Sequence, residues 1–303
     1  MKIKATIGVC ARNCQNDLAR ITERIILQDY SHENMEVIFV DDGSTDNTLH
    51  EIEKFAQKMQ IAYRVFHHEW KGLGFSRNVI LKQAQGDYII WVDDGVLIPK
   101  DYVTKLIEIM EKNQKIGIAR GFIGLYSGSN NVMTLESMGQ LLFNNKFAGK
   151  TTTNLPGAGG SIYRVEAARF VGGFNETIWG VGEDNDLAYR LLKAGWQIYI
   201  TKNEFFIEHY ENLRRVWKKS FWYGYGAHFV VHRNGSLSKI LIKSNPFVGF
   251  IEGLLVFSVA YRKTQKKIAL FLPLYFFLKR TVWCFGFLKS HRDAYGHLQD
   301  SHI

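Results

Sequence analysis

The chain has 303 residues, is 46% hydrophobic and carries a formal net charge of +9. That apolar fraction excludes a disordered chain and allows one large domain or a domain with an appendage. Residues 236–303 hold ten Lys/Arg against three acidic residues and residues 211–235 hold five against one; these excesses of +7 and +4 leave −2 for the first 210, which argues against a uniformly basic nucleic-acid binder.

Met1 to Cys10 reads as a short strand, not as a basic-then-apolar leader, so the N-terminal region is expected to stay on the side of synthesis. Cys10, Cys14 and Cys284 form no disulfide framework, and a reducing, cytoplasmic setting is expected. "ATIGVC" is a strand, and "NDLARITERIILQ" spaces Leu18, Ile21, Ile25 and Ile26 as a helix does. "MEVIFVDDGSTDNT" is a buried strand running into a turn, where Asp46 or Thr45 could cap the helix "NTLHEIEKFAQKM". "IAYRVFHH" predicts a third strand, "GFSRNVILKQAQ" a helix, "DYIIWVDD" a fourth strand, "YVTKLIEIMEK" a helix and "KIGIARGFIGLY" a further strand. Strands and helices that alternate in this way, with continuous apolar strands, imply a mostly parallel sheet covered on both faces.

Ser127 to Gly180 is rich in glycine and aromatic residues and reads as loops and short strands lining one wall of a site. "NDLAYRLLKAG" is a helix ending at Gly195, and "WQIYIT" a strand. Beyond residues 234–238 come "NPFVGFIEGLLVFSVAY", "IALFLPLYFFL" and "TVWCFGFL", separated by "RKTQKK" and Lys279-Arg280. A spanning helix needs about 20 largely apolar residues, and none of these runs reaches that without a charge. They suit amphipathic helices in a membrane interface or a helical subdomain packed on the core, with true spanning left open as a third reading; basic residues between them would face the cytoplasm.

Ligands bind beyond the carboxyl ends of strands in such sheets, and Asp41/Asp42 and Asp93/Asp94 stand at those ends. "VDDGSTDNT" alone can be a capped turn. "GLGFSRN", Gly72–Asn78, sits where a glycine-rich loop feeds a helix and offers Arg77 as a counter-charge, but it is not the dinucleotide fingerprint. The pair in "WVDDG" can cap a loop, pair with Lys or Arg, or hold a hard divalent cation. In "GVGEDNDLAYRLLKAG", Glu183 and Asp184 precede a helix, on a turn open enough for a general base; Asp186 can serve as the cap.

In order and spacing, "TIGVCARN", "VDDGSTDNT", "GLGFSRN", "WVDDG", "PGAGGSIYR", "VGGFNE" and "GEDNDLAYRLLKAG" resemble a family 2 inverting glycosyltransferase of the GT-A fold, over about Lys4 to Tyr210. The resemblance implies a nucleoside-diphosphate sugar donor, UDP- or GDP-linked, and Mn²⁺ or Mg²⁺. It places Ala11, Arg12, Asn13, Asp41 and Asp42 around base and ribose, Arg77 near the nucleotide or diphosphate, and Asp93/Asp94 at ribose and metal. Gly159, Gly160, Glu183 and Trp179 would line the acceptor and sugar pocket, Asp184 would be the catalytic base, and His209 a further metal ligand. The family's Asp-x-Asp is broken by Gly95, which shifts the expected metal ligand to Asp94 and leaves Asp93 to the ribose. The Q-x-x-R-W motif of processive synthases is missing, and "LRRVWKKSFWYGYG" resembles the segment of non-processive, membrane-associated members.

The expected organisation is a catalytic domain over 1–210, with residues 1–125 serving the nucleotide and 126–210 the acceptor. A basic aromatic connector over 211–235 and membrane-interface helices over 236–303 are expected to follow. The expected reaction is a single in-line displacement onto a lipid-linked or glycan acceptor at the cytoplasmic face of an anionic membrane, with no nucleic-acid partner. A polyprenyl phosphate acceptor, already anionic, would make a base largely unnecessary. Two rivals are a nucleotidyltransferase, whose triphosphate loop "GVCARNCQND" lacks, and a catalytically impaired sugar-nucleotide or lipid binding module.

Overall fold

The computed structural model describes residues 3–178, 181–234 and 244–295. Contacts divide the chain into two compact units, 1–124 with 147–177 and 183–208, and 125–146 with 178–182 and 209–303.

The first unit is built on a sheet of nine strands: β1 (Ala5–Ala11), β2 (Met35–Asp42), β3 (Ala62–His68), β4 (Tyr88–Trp91), β5 (Val96–Leu97), β6 (Ile116–Ile123), β7 (Lys150–Thr152), β8 (Ser161–Arg164) and β9 (Gln197–Glu208). The spatial order is β3-β2-β1-β4-β8-β6-β9-β5, with β7 beside β9. β1 pairs in parallel with both β2 and β4, β2 with β3, and β6 with β9. β8 runs antiparallel between β4 and β6.

Helices α1 (Gln15–Ile26), α2 (Thr48–Ala56) and α4 (Tyr102–Lys112) bury Leu18, Ile21, Ile25, Ile52 and Leu106 in one core with Ile7, Val37, Phe39 and Ile90 of the strands. Helices α3 (Leu73–Gln83), α7 (Val165–Phe170) and α8 (Glu183–Lys193) bury Ile80, Ala167 and Leu187 in a second core with Ile38, Val40, Ile89 and Trp91. Successive residues of β2 and β4 therefore enter opposite cores, which is why these strands read as unbroken apolar runs. The α/β GT-A architecture expected from the sequence is present, with helices on both faces. The N-cap of α2 is Asn47, whose side chain makes no capping bond, in place of the expected Asp46 or Thr45; Asp46 Oδ1, one residue earlier, accepts the Thr48 amide at 3.0 Å. Asp186, the other expected cap, pairs with Arg190 one turn on at 2.8 Å.

Residues 127–180, expected to be loops and short strands, contain three helices: α5 (Asn131–Gly139), α6 (Leu141–Phe147) and α7. α5 forms because the Asn130 side chain accepts the Val132 and Met133 amides, an N-cap, and because Glu136, buried within the second unit, is satisfied by Lys279 at 2.6 Å and by the Tyr275 hydroxyl. That partnership spans more than a hundred residues of sequence and leaves no local trace.

In the second unit the segment expected as a connector is helix α9 (Leu213–Asn234), followed by α10 (Pro246–Thr264) and α11 (Leu272–Arg292). α9 and α11 cross at glycines: a Cβ on Gly224 would stand 1.9 Å from the Trp283 carbonyl oxygen, and one on Gly286 would stand 1.9 Å from that of Phe221. Among the described residues one stretch, Lys267–Arg292, is long and apolar enough to cross a membrane by length and composition. The sequence reading had none, because it broke this stretch at Lys279-Arg280.

Candidate active site

The carboxyl ends of β2 and β4 carry the expected acidic pairs, with the end of β1 between them, all within the first unit. Asp41 and Asp42 are buried, and the turn after β2 feeds donors back to them. Asp41 accepts from the Ser44 hydroxyl and from the Ser44 amide at 3.2 Å, and His67 Nδ1 lies 2.8 Å away. Asp42 Oδ1 accepts the Lys71 and Gly72 amides at 2.9 and 3.2 Å, ahead of α3. Ala11 ends β1 opposite Asp41. Asn13, in a left-handed conformation (φ 50°), accepts the Thr45 amide at 2.8 Å, and its own amide donates to the Ser44 hydroxyl. The Arg12 guanidinium stacks 4.6 Å from the half-exposed Trp70 ring. Arg12, Asn13, Asp41 and Asp42 thus stand together, and Trp70, Ser44, His67 and His68, whose Nδ1 lies 3.5 Å from Asp42 Oδ1, join them. The sequence reading missed these four, although "HHEW" sits at the carboxyl end of β3, where the fold puts ligands.

Asp93 and Asp94 follow β4 in a tight turn closed by the Val96 amide donating to the Asp93 carbonyl at 3.0 Å. Gly95 has φ 80°. That is the left-handed third position of a type II turn, which glycine takes without strain. The missing third acid of the family motif is therefore replaced by a backbone requirement: the chain reverses here into β5.

Arg77, expected near the nucleotide or diphosphate, lies on α3 with 1% exposure. Its guanidinium donates to Asp93 Oδ2 at 2.8 Å and to Glu183 Oε1, and stands 3.9 Å from Asp184 Oδ2. The rings of Trp91 and Phe174 lie 5.6 Å from it on their own sides. One cation thus serves three carboxylates inside the core. Burial dominates at Glu183, with Asp184 and Asp93 adding to it against Arg77, and its carboxyl is pushed up to about 8.

The loop Gly157–Gly160 enters β8 at this same edge. Ala158 donates its amide to Asp184 Oδ2 at 2.9 Å, and a Cβ on Gly159 would lie 3.1 Å from Asp93 Oδ2. Behind it, Arg120 Nε donates to the Gly159 carbonyl at 3.2 Å and the Tyr102 hydroxyl donates to that of Gly160. Asp93, Arg77, Glu183, Asp184, Gly159 and Gly160 are thereby brought together. His209 follows β9 and belongs to the second unit. Trp179 lies outside the described residues.

The acidic turn suits a hard divalent cation. Asp93 Oδ1 is buried with no hydrogen-bond partner among the described residues, and Asp94 is exposed beside it in sequence. Among the described residues no group of three or more His, Cys, Asp or Glu forms a site made of protein alone. One or two carboxylates completed by phosphate oxygens is the donor set that Mg²⁺ and Mn²⁺ accept.

The sequence pattern of glycosyl transferase family 2 matches residues 6–172. The chain belongs to glycosyl transferase family 2. The pattern described as the N-terminal domain of galactosyltransferase also matches, over 143–215. The chain is 32% identical over 103 residues to the poly(ribitol-phosphate) β-N-acetylglucosaminyltransferase TarS of Staphylococcus aureus, 34% of this chain and 17% of TarS. It is 26% identical over 217 residues to the succinoglycan biosynthesis protein ExoA of Rhizobium meliloti, 66% of this chain and 62% of ExoA. The matched region is thus a small share of TarS and less than two thirds of ExoA. Among solved structures, the mannosyltransferase PcManGT of Pyrobaculum calidifontis, determined with GDP-Man and Mn²⁺, superposes with TM-score 0.67 at 15% identity, covering 97% of this chain and 88% of that one. TarS residues 1–349 with UDP superposes with TM-score 0.56 at 17% identity, covering 96% and 92%. These likenesses agree with the family's GT-A fold.

Proposed function

We propose that this family 2 member is an inverting, non-processive glycosyltransferase that moves a sugar from a UDP- or GDP-linked donor to a lipid-linked acceptor at the cytoplasmic face of a membrane. The observation that carries the reading is the meeting of Asp93, the Gly157–Gly160 loop and Asp184 at one sheet edge, through Gly159 against Asp93 and the Ala158 amide on Asp184. Donor-side and acceptor-side groups of an in-line displacement need that proximity.

Arg12, Trp70, Asn13 and the Asp41/Asp42 turn hold the base and ribose. Asp94 with Asp93 Oδ1 would hold Mn²⁺ or Mg²⁺, which supplies Lewis-acid stabilisation of the leaving diphosphate when bound. Asp184, 8% exposed against 1% for Glu183, is the carboxylate placed to take the acceptor proton. Glu183 acts through Arg77, as a positioning residue. Arg77 is given that internal role in place of a phosphate contact, because its guanidinium is already enclosed by carboxylates and rings. The basic balance of residues 211–303 and the apolar helices α10 and α11 support a membrane-surface setting.

A thermal-shift screen of UDP, GDP and their sugars, with and without Mn²⁺, followed by donor-hydrolysis assays, tests this. A metal-dependent upward shift with one nucleotide family and matching hydrolysis is the expected result. A shift without donor hydrolysis would point to the catalytically impaired binding module, and no shift with any nucleotide would overturn the nucleotide-sugar reading.

A further inference from the structure

We infer that α10 and α11 form an antiparallel hairpin lying in the plane of an anionic bilayer interface, inserted by their exposed apolar faces and not crossing the membrane. This deepens the membrane aspect of the function proposed above and rests on that aspect alone.

On α10, Phe247, Ile251, Leu254 and Leu255 are 72, 57, 47 and 57% exposed. Their spacing puts them on one helical face, and no charge falls among them. The opposite face, Gly249, Gly253, Val256 and Ala260, is buried. A Cβ on Gly253 would stand 2.4 Å from Pro273 Cα, and one on Gly249 3.0 Å from the Phe276 carbonyl, so α11 runs back along α10. Leu270 and Phe271 in the connecting turn, and Leu274 and Phe285 on α11, are at least half exposed. Contiguous apolar surface of this kind marks an interaction site.

The charges midway along the hairpin are paired within the second unit. Glu252 of α10 pairs with Arg280 of α11, and Lys279 pairs with Glu136 of α5 at 2.6 Å. Arg262, Lys263 and Lys267, at the turn end, are exposed. An apolar face with a basic fringe suits anionic headgroups; a second copy of a chain with net charge +9 would bring like charges together.

Crossing is disfavoured by what α11 is tied to. The glycine contacts hold α9 against α11, and the first two turns of α9 carry Arg214, Arg215, Lys218 and Lys219. A spanning α11 would bring those charges and the Lys279–Glu136 pair toward hydrocarbon, where ionised side chains are costly.

Flotation of the full chain with phosphatidylcholine vesicles, with and without phosphatidylglycerol, tests the inference. The wild type should float with the anionic vesicles and be released by alkaline carbonate. Ile251→Glu/Leu254→Glu/Leu255→Glu should lower partitioning about tenfold or more, and Lys263→Glu/Lys266→Glu/Lys267→Glu roughly a hundredfold on anionic vesicles only. Both variants change exposed or half-exposed positions and should keep the wild-type circular dichroism and nucleotide-induced thermal shift. Failure of the wild type to float, retention through carbonate, or apolar-face variants that float unchanged would overturn the proposal. So would a wild-type dimer that these substitutions turn into a monomer without altering flotation. Vesicle binding needs neither donor nor acceptor, so its outcome is separate from that of the catalytic reading.

Discussion

Arg77 reaches Asp93 from inside the core, its guanidinium nitrogen 2.8 Å from a carboxylate oxygen at the end of β4. The same group holds Glu183 at the start of α8, which lies 106 residues further on. One buried cation therefore ties the acidic turn to the helix that carries Asp184. Removing it would leave Asp93 and Asp184 without their counter-charge and Glu183 without its hydrogen-bond donor. Arg77→Ala is expected to cost about 3–5 kcal/mol in urea unfolding. Arg77→Lys should lose less stability yet still lower kcat, because one ammonium cannot copy the guanidinium fork.

Asp184→Asn keeps one oxygen for the Ala158 amide and gives up the bond its other oxygen accepts from the Asn185 amide, so the chain should fold with a loss of about 1–3 kcal/mol. With a hydroxyl acceptor, kcat should fall by about 10²–10⁴-fold while KM for the donor stays near wild type. Near-wild-type turnover would remove Asp184 from the role of base and favour an acceptor that is already anionic.

The raised carboxyl of Glu183, about 8 against 4.5 when unfolded, predicts a pH dependence of stability. Between those values the folded chain holds a proton that the unfolded chain releases, so this group's contribution is fully present below about 4.5 and is lost as pH rises through about 8. Melting temperature should decline across that window, and Glu183→Gln should flatten the decline. Equal slopes in the two proteins would refute the assignment.

Metal dependence is read most directly by calorimetry. The matching nucleoside diphosphate should bind at least about tenfold more tightly with Mn²⁺ than with a chelator, and Asp94→Ala should erase the difference. A variant that keeps the metal effect would place the ion elsewhere.

The stack of Arg12 on Trp70 gives a separate handle on nucleotide affinity. Trp70→Ala is expected to weaken nucleotide binding by roughly tenfold with little change in stability, since the ring is 48% exposed. Fluorescence titration checks both.

The sheet and the acidic pairs were legible because β2 and β4 feed both cores and so present continuous apolar runs that stop at Asp41 and Asp93. Helices α1 to α4 declared themselves by their spacing. Arg77 did not: "GLGFSRN" looks the same whether its arginine faces a phosphate or three carboxylates, and two of those three come from α8. α5 was hidden for a similar reason, since Glu136 gains its partners only through Tyr275 and Lys279. Gly95 was legible as a gap in an acidic motif but not as a turn requirement, because φ is not written in spacing.

The reversed strand β8 has a consequence for how the chain is made. Until Ser161–Arg164 has been synthesised, β4 has β1 as neighbour on one side and bare backbone on the other, with Tyr88, Ile89 and Ile90 along it. β6 waits likewise for the strand that joins it to the rest. An unpaired apolar edge is a template for wrong pairing, and large domains are most vulnerable while such edges persist. The sheet formed by the first 125 residues lacks the strand that closes it, so a nascent chain halted there is expected to stay sticky, and a gene fragment cut there to give aggregate.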